Sequence, residues 1–441
     1  MIQVAQILFI LSVLVILHEF GHYIAAKIFK VRVEKFYLFM DAGFSLIKKK
    51  IGDTEWGIGW LPLGGYVKLS GMIDESMDTD QMNTEPQPWE FRSKPAWQRL
   101  IIMLGGITVN IILAWLIFTI MYSTVGQKFI ATEKIQENGL AFGEVGQKAG
   151  FKNGDKIVSV DGKYQPSFNR MTLDILLGDK VEVERDGKIV DVILTDEMKG
   201  EIISKEGKEF LGPRFSNSVV DSVVPKSEAE KAGLLMGDKI KSLNGTDFVY
   251  YDQFKDMISK HKNDSIALVV LRGDKKVALK ARVDKEGKLG FINKPMDKLD
   301  YEVNNQLTFG EAVPAAVKES WSLLVYNVKQ FKLILRPKTE AYKHVQSPIG
   351  IARRLPDTWN WEFIWNFTAL FSIGLAFMNL LPIPGLDGGH ALFTIVEMIT
   401  GKKLSDKAAG YVQTAGMIIL LTLMALTFGK DIYQLVADKL F

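Results

Sequence analysis

The sequence predicts an α-helical membrane protein with four transmembrane helices, a membrane-associated β element and two copies of a small α/β domain. Three observations predict it. Four stretches carry no Asp, Glu, Lys or Arg: Met1–Leu17, Leu100–Gln127, Phe363–Leu386 and Ala408–Gly429. A spanning helix needs about 20 mostly apolar residues, so the last three qualify alone and the first qualifies if it runs on to Ala26. Residues 31–97 are too polar to span, yet hold short alternating pieces such as Glu55–Trp60 and Gly64–Leu69, which read as a hairpin or small sheet. Finally, Lys148-Ala149-Gly150, Gly154-Asp155-Lys156-Ile157, Ser159 and Gly162 recur without a gap 83 residues later, from Lys231 to Gly245, with Leu234 in the place of Phe151.

In chain order, residues 1–30 make the first span. It has no basic leader and no clear small-residue cleavage site, so it is expected to stay rather than leave as a signal peptide. Residues 31–97 hold the β region and, from 72, an acidic and then proline-bearing surface loop. Residues 98–127 make the second span. Residues 128–207 and 208–293 are the two repeat domains, of roughly 80 residues each. Each ends a helix at Ala-Gly, turns at Gly-Asp and enters a strand closed by Asp-Gly or Asn-Gly. This pattern resembles PDZ domains, which bind extended peptides at a sheet edge; the alternative is a generic α/β module with glycine turns. The first copy is less typical, with Glu144-Val145-Gly146-Gln147 where a Ser/Pro-rich helix start is usual.

Residues 294–360 form a linker. Within it, 310–335 mix Trp321, Leu324 and Phe331 with Lys318, Lys329 and Lys332, as in an interfacial amphipathic helix or an ordinary helix on a soluble domain. Residues 361–390 form the third span, 391–407 a cytoplasmic loop, 408–430 the fourth span and 431–441 a tail. Lys and Arg crowd between the first two spans, and Lys402, Lys403 and Lys407 lie between the last two. Both segments are therefore expected to be cytoplasmic, with the repeat domains outside.

A formal charge of +3 gives no reason to expect nucleic acid as a partner. The absence of cysteine excludes a thiolate metal site, a cysteine nucleophile and disulfides. A metal must be held mainly by His, Asp or Glu, and there are only five histidines. Two of them lie in His18-Glu19-Phe20-Gly21-His22, inside the greasy first span. On a helix, His18 and His22 share one face, and can hold one Zn²⁺ with Glu19 beside it as general base. Such polar groups are costly in hydrocarbon unless partnered or functional.

Catalytic zinc usually has three protein ligands and one open position. The extended soluble-protease pattern would need Gly at 25 and His at 28; Ala25 and Ile28 stand there. The best third ligand is Asp387, at the end of the charge-free run that leads through Asn379, Pro382 and Pro384. The prolines break the helix, and broken helices at membrane depth line protein or water cavities. Asp387 could instead be a turn or cap, since Asp-Gly-Gly is turn chemistry. Asn379 could hold a substrate backbone or oxyanion, or make a helix–helix hydrogen bond. His390 reads as supporting the ligands or as structural; His261 and His344 read as solvated or structural.

At these residues the chain resembles the site-2 protease family of intramembrane zinc metalloproteases, closest to the bacterial regulator-of-sigma-E protease type. That type carries HExxH in the first span, tandem PDZ domains after the second, and N-x-x-P-x-P-x-L-D-G in the third, all present here in order. The resemblance implies zinc ligands His18, His22 and Asp387, catalytic base Glu19 and substrate-positioning Asn379. It implies a membrane-facing β element over 36–70, where Ser45 replaces the second glycine of the usual Gly-x-Gly turn. It also implies single-span membrane proteins as substrates, such as trimmed anti-sigma factors and remnant signal peptides, and a bacterial inner-membrane location with the PDZ-like domains in the periplasm. The rival expectations are a non-catalytic membrane PDZ adaptor with a structural metal, and a tethered zinc protease acting on soluble substrates.

Overall fold

The computed structural model describes residues 2–72, 85–207, 210–216, 218–294, 301–403 and 405–440; residues 73–84 of the expected acidic loop fall outside them. The chain divides into two units. One comprises Met1–Gln127, Gln306–Lys332 and Val345–Phe441, the other Lys128–Asn305 and Leu333–His344.

In the first unit, four helices among the described residues are long and apolar enough to cross a membrane: Ile2–Ile28, Ala96–Thr124, Trp361–Leu380 and Ala408–Gln434 within a longer helix. The second packs against the first, the third and a further helix, Asp387–Thr400. Its approach to the first is closest where Gly21 faces Gly105. A Cβ on either residue would strike the other's backbone, and such small residues are what let spanning helices pack tightly. Ala114, Phe118, Ala369 and Ile373 bury a cluster that also takes in Ala312 and Ala316 of helix Phe309–Ile334. That helix leaves Trp321 exposed on its other side, the two-faced character that its sequence predicts.

The third spanning helix starts on an Asn360 side chain that accepts from the Phe363 N–H (3.1 Å). It stops at Leu380, because Leu381 precedes a proline and is pushed out of the helical region. After the Pro382–Leu386 turn the chain re-enters helix at Asp387 and continues to Thr400. Residues 391–400, expected in a cytoplasmic loop, are therefore helical. Ala391 and Thr394 are buried, and the helix runs on until Gly401 takes up a left-handed conformation (φ 69°). The single charge in this segment, Glu397, is paired with Arg99 (2.5 Å).

Two long strands, Val33–Ile51 and Thr54–Leu69, form the β element. They bend so that residues 33–38 pair with 65–69 on one side and, from Lys35, with 55–58 on the other, while 45–51 pair with 54–59. Among the described residues, segment 65–69 has strand partners on one side only.

The second unit contains two modules built alike. In the first, Lys156–Val160, Lys180–Arg185 and Lys188–Ile193 make an antiparallel sheet, and Leu140–Phe142 pairs with Leu211–Pro213. In the second, Lys239–Leu243, Ser265–Arg272 and Lys275–Arg282 repeat that order, and Ser218–Val223 pairs with Phe291–Asn293. Each module has its own apolar core. The sequence repeat extends to individual hydrogen bonds. Arg185 donates to both carboxylate oxygens of Asp155 (2.8 and 2.6 Å) and to the Gly150 carbonyl (2.9 Å). Arg272 does the same to Asp238 (2.8 and 2.8 Å) and Gly233 (2.8 Å).

Candidate metal centre

The first helix carries His18 and His22 one turn apart, both buried, on the side that faces the second helix. Their Nε2 atoms are 3.3 Å apart. Asp387, in the first turn of helix Asp387–Thr400, brings Oδ2 to 3.2 Å from each of them. Three acceptor atoms thus close a triangle with nearly equal sides. They form the one such metal-capable group among the described residues.

The local sequence explains how Asp387 gets there. The Pro382–Leu386 turn is compact: Gly388 and Gly389 have no room for a Cβ against the carbonyls of Leu381, Asn379 and Ile383. Gly385 takes φ 98°, open to glycine at little cost. Its N–H donates to Gln413 on the fourth spanning helix (3.2 Å), and Gly416 of that helix packs bare against Pro384. Across the site, Gly106 of the second helix faces both imidazoles, and a Cβ there would collide with His18 and His22.

These residues fit a zinc ion. Ligands about 2.0–2.1 Å from a tetrahedral ion lie roughly 3.3 Å from one another, which is the spacing of this triangle. The Asp387 Oδ2 atom is buried and receives no hydrogen bond, a costly state for a carboxylate unless a cation satisfies it. The Ile102 carbonyl can only accept, so His22 Nδ1, 2.8 Å away, carries the proton and Nε2 keeps its lone pair. His390 is not among the converging atoms, so among the described residues the metal-capable group has three members.

The triangle borders a cavity of about 90 Å³ lined by Glu19, Tyr66, Val67, Asn379, His390 and Gln413 among others. Glu19 is half-buried and packs near Gly65, and it lines the cavity together with Val67. Strand segment 65–69 thus runs past the site. Asn379, in the last turn of the third spanning helix, places Nδ2 3.0 Å from His18 Nε2. His261 and His344 are not in the cavity lining. Sequence reasoning passed over Asn110, whose Nδ2 lies 3.1 Å from His18 Nδ1, and Gly106. A lone amide inside the charge-free second span was the available signal.

Comparison with known proteins agrees with this chemistry. The model of the family described as "Peptidase family M50" matches residues 6–423. A Neisseria meningitidis protein named "Putative zinc metalloprotease" is 28% identical over 97% of this chain and 98% of its own length. A Vibrio cholerae protein of the same name is 29% identical over 96% and 97%. The "Regulator of sigma-E protease RseP" of Escherichia coli is 28% identical over 98% of this chain and 99% of its own. The site and the spanning helices define a membrane zinc metalloprotease. The chain belongs to peptidase family M50, the site-2 proteases.

Proposed function

We propose that this protein is an intramembrane zinc endopeptidase of the bacterial cytoplasmic membrane. In this reading it cuts the transmembrane segments of single-span membrane proteins, such as trimmed anti-sigma factors and remnant signal peptides. The observation that carries the reading is the His18–His22–Asp387 triangle, built on helices in the apolar bundle and open on one side to a cavity beside Glu19. The regulator-of-sigma-E name of a relative aligned over nearly the whole chain supports the substrate class.

His18, His22 and Asp387 would hold the ion. Zinc bound there would supply a Lewis acid and acidify a water ligand to a pKa of about 7. Glu19, in the cavity lining, is the group that accepts a proton from the attacking water and delivers it to the nitrogen of the leaving amine. Asn379, which lines the cavity, turns its amide to the substrate backbone. A transmembrane helix hides its amides in internal hydrogen bonds and must unwind before it is cut. The 65–69 edge, with strand partners on one side only, is suited to receive the unwound chain.

The two repeat modules act as PDZ-like domains on the periplasmic side. There they bind peptide or protein segments and exclude substrates with bulky outer domains. Deleting residues 130–292 should let untrimmed substrates be cut; unchanged resistance would contradict the filter. The central experiment compares wild type with Glu19→Gln for zinc content and for cleavage of a single-span reporter. Zinc retained with cleavage lost supports the mechanism, and equal cleavage by the two proteins would sink it.

A further inference from the structure

We propose that Asn110 is a positioning residue of the metal centre. Its side-chain carbonyl accepts the Nδ1 proton of His18 and so holds the Nε2 lone pair of that ring toward the ion. This rests on His18, His22 and Asp387 being the zinc ligands.

The placement comes from the second spanning helix. Ile102, Gly106 and Asn110 follow one another at intervals of four residues, so they share one face, a turn apart. That face meets His18 and His22. Ile102 offers its carbonyl to His22 Nδ1 at 2.8 Å. Gly106, in the middle, leaves space for both rings. Asn110 sets its amide 3.1 Å from His18 Nδ1. Its backbone carbonyl accepts from Ser372 Oγ (2.7 Å), which pins this turn to the third spanning helix.

Proton accounting then decides which end of the amide faces the ring. A neutral imidazole carries one N–H, so one ring nitrogen donates and the other accepts. The NH2 groups of Asn110 and Asn379 stand at opposite nitrogens of His18, 3.1 and 3.0 Å away. Both cannot donate to one neutral ring. Metal ligation needs the lone pair at Nε2, which leaves the proton on Nδ1, and the partner there must accept it. An amide turned end for end fills the same space, and with Oδ1 toward Nδ1 Asn110 meets that need. The second helix then supplies both outer acceptors, a backbone carbonyl for His22 and a side-chain carbonyl for His18. Metal-bound histidines characteristically donate their second N–H in this way, and loss of the acceptor typically costs 10–100-fold in metal affinity.

The test measures zinc affinity of the purified full chain by chelator competition, with the zinc-free unfolding midpoint recorded beside it. Asn110→Ala should weaken zinc binding by about 10–100-fold. Asn110→Asp, of the same shape but able only to accept, should stay within about tenfold of wild type. Affinity should follow acceptor capacity rather than the zinc-free midpoint. Wild-type affinity in Asn110→Ala, or an Asn110→Asp loss as large as that of Asn110→Ala, would overturn the proposal. Should the alanine variant not fold, retention or loss in Asn110→Asp decides alone. His22→Ala in the same series reports on the ligand assignment: if it binds zinc like wild type, the ligand reading itself falls, whereas a loss there with wild-type binding in Asn110→Ala rejects only the role of Asn110.

Discussion

Asp387 Oδ2 stands 3.2 Å from His22 Nε2, although the two residues come from opposite ends of the chain. The Pro382–Leu386 turn makes this possible by breaking the third spanning helix at Leu380 and starting a new one at Asp387. A carboxylate in the first turn of that helix also gains from the helix dipole.

Gly106 separates the centre from an ordinary helix contact. A side chain there would collide with both imidazoles, and overpacking of this kind typically costs about 1–3 kcal/mol. Gly106→Val should sharply reduce bound zinc and lower the unfolding midpoint. Gly374, on the third spanning helix, has nothing near its missing Cβ. Gly374→Ala should leave zinc content unchanged and be neutral or stabilising by up to about 1 kcal/mol. Zinc analysis and thermal melts of the two variants check the contrast.

His390 lines the cavity but does not join the triangle. His390→Ala should keep the zinc stoichiometry of wild type, as expected for three protein ligands and an open position. A full loss of zinc in that variant would indicate a closed, structural site instead.

Asp238 gives the second module a pH dependence. Burial alone would raise its carboxyl pKa, but the hydrogen bonds from Arg272 and from the Leu235 N–H, with the Arg272 charge, outweigh burial and hold it below the usual carboxylate range. A depressed folded pKa contributes stability above the unfolded value of about 3.9 and loses it as pH falls through the folded one. Calorimetry of the full chain should show the transition of this module weakening as the pH drops below about 4. Asp238→Asn should destabilise the module at neutral pH, by about 1–3 kcal/mol, and remove that part of the acid dependence.

Much of this was legible in the sequence because it lies in local spacing. His18 and His22 at four residues, the charge-free runs and the ungapped repeat each report on one segment at a time. The extent of helix Asp387–Thr400 was not legible, since Glu397 looks like a solvated charge until Arg99 is brought beside it. Asn110 and Gly106 were hidden for a similar reason. Their importance depends on which face of the second helix meets the first, and apolar residues surround that helix on every side. A spanning helix carries little amphipathic pattern to reveal its inward face. The fold-back of the β element, with residues 35–38 paired on both sides, follows from bends that alternation alone does not encode.

The most direct test of the metal centre is the zinc content of full-length protein purified without added metal, compared between wild type and Asp387→Ala. Joining the first helix to the far end of the chain through one ion predicts close to one zinc per wild-type chain and far less in the variant. Equal zinc in the two proteins would contradict it.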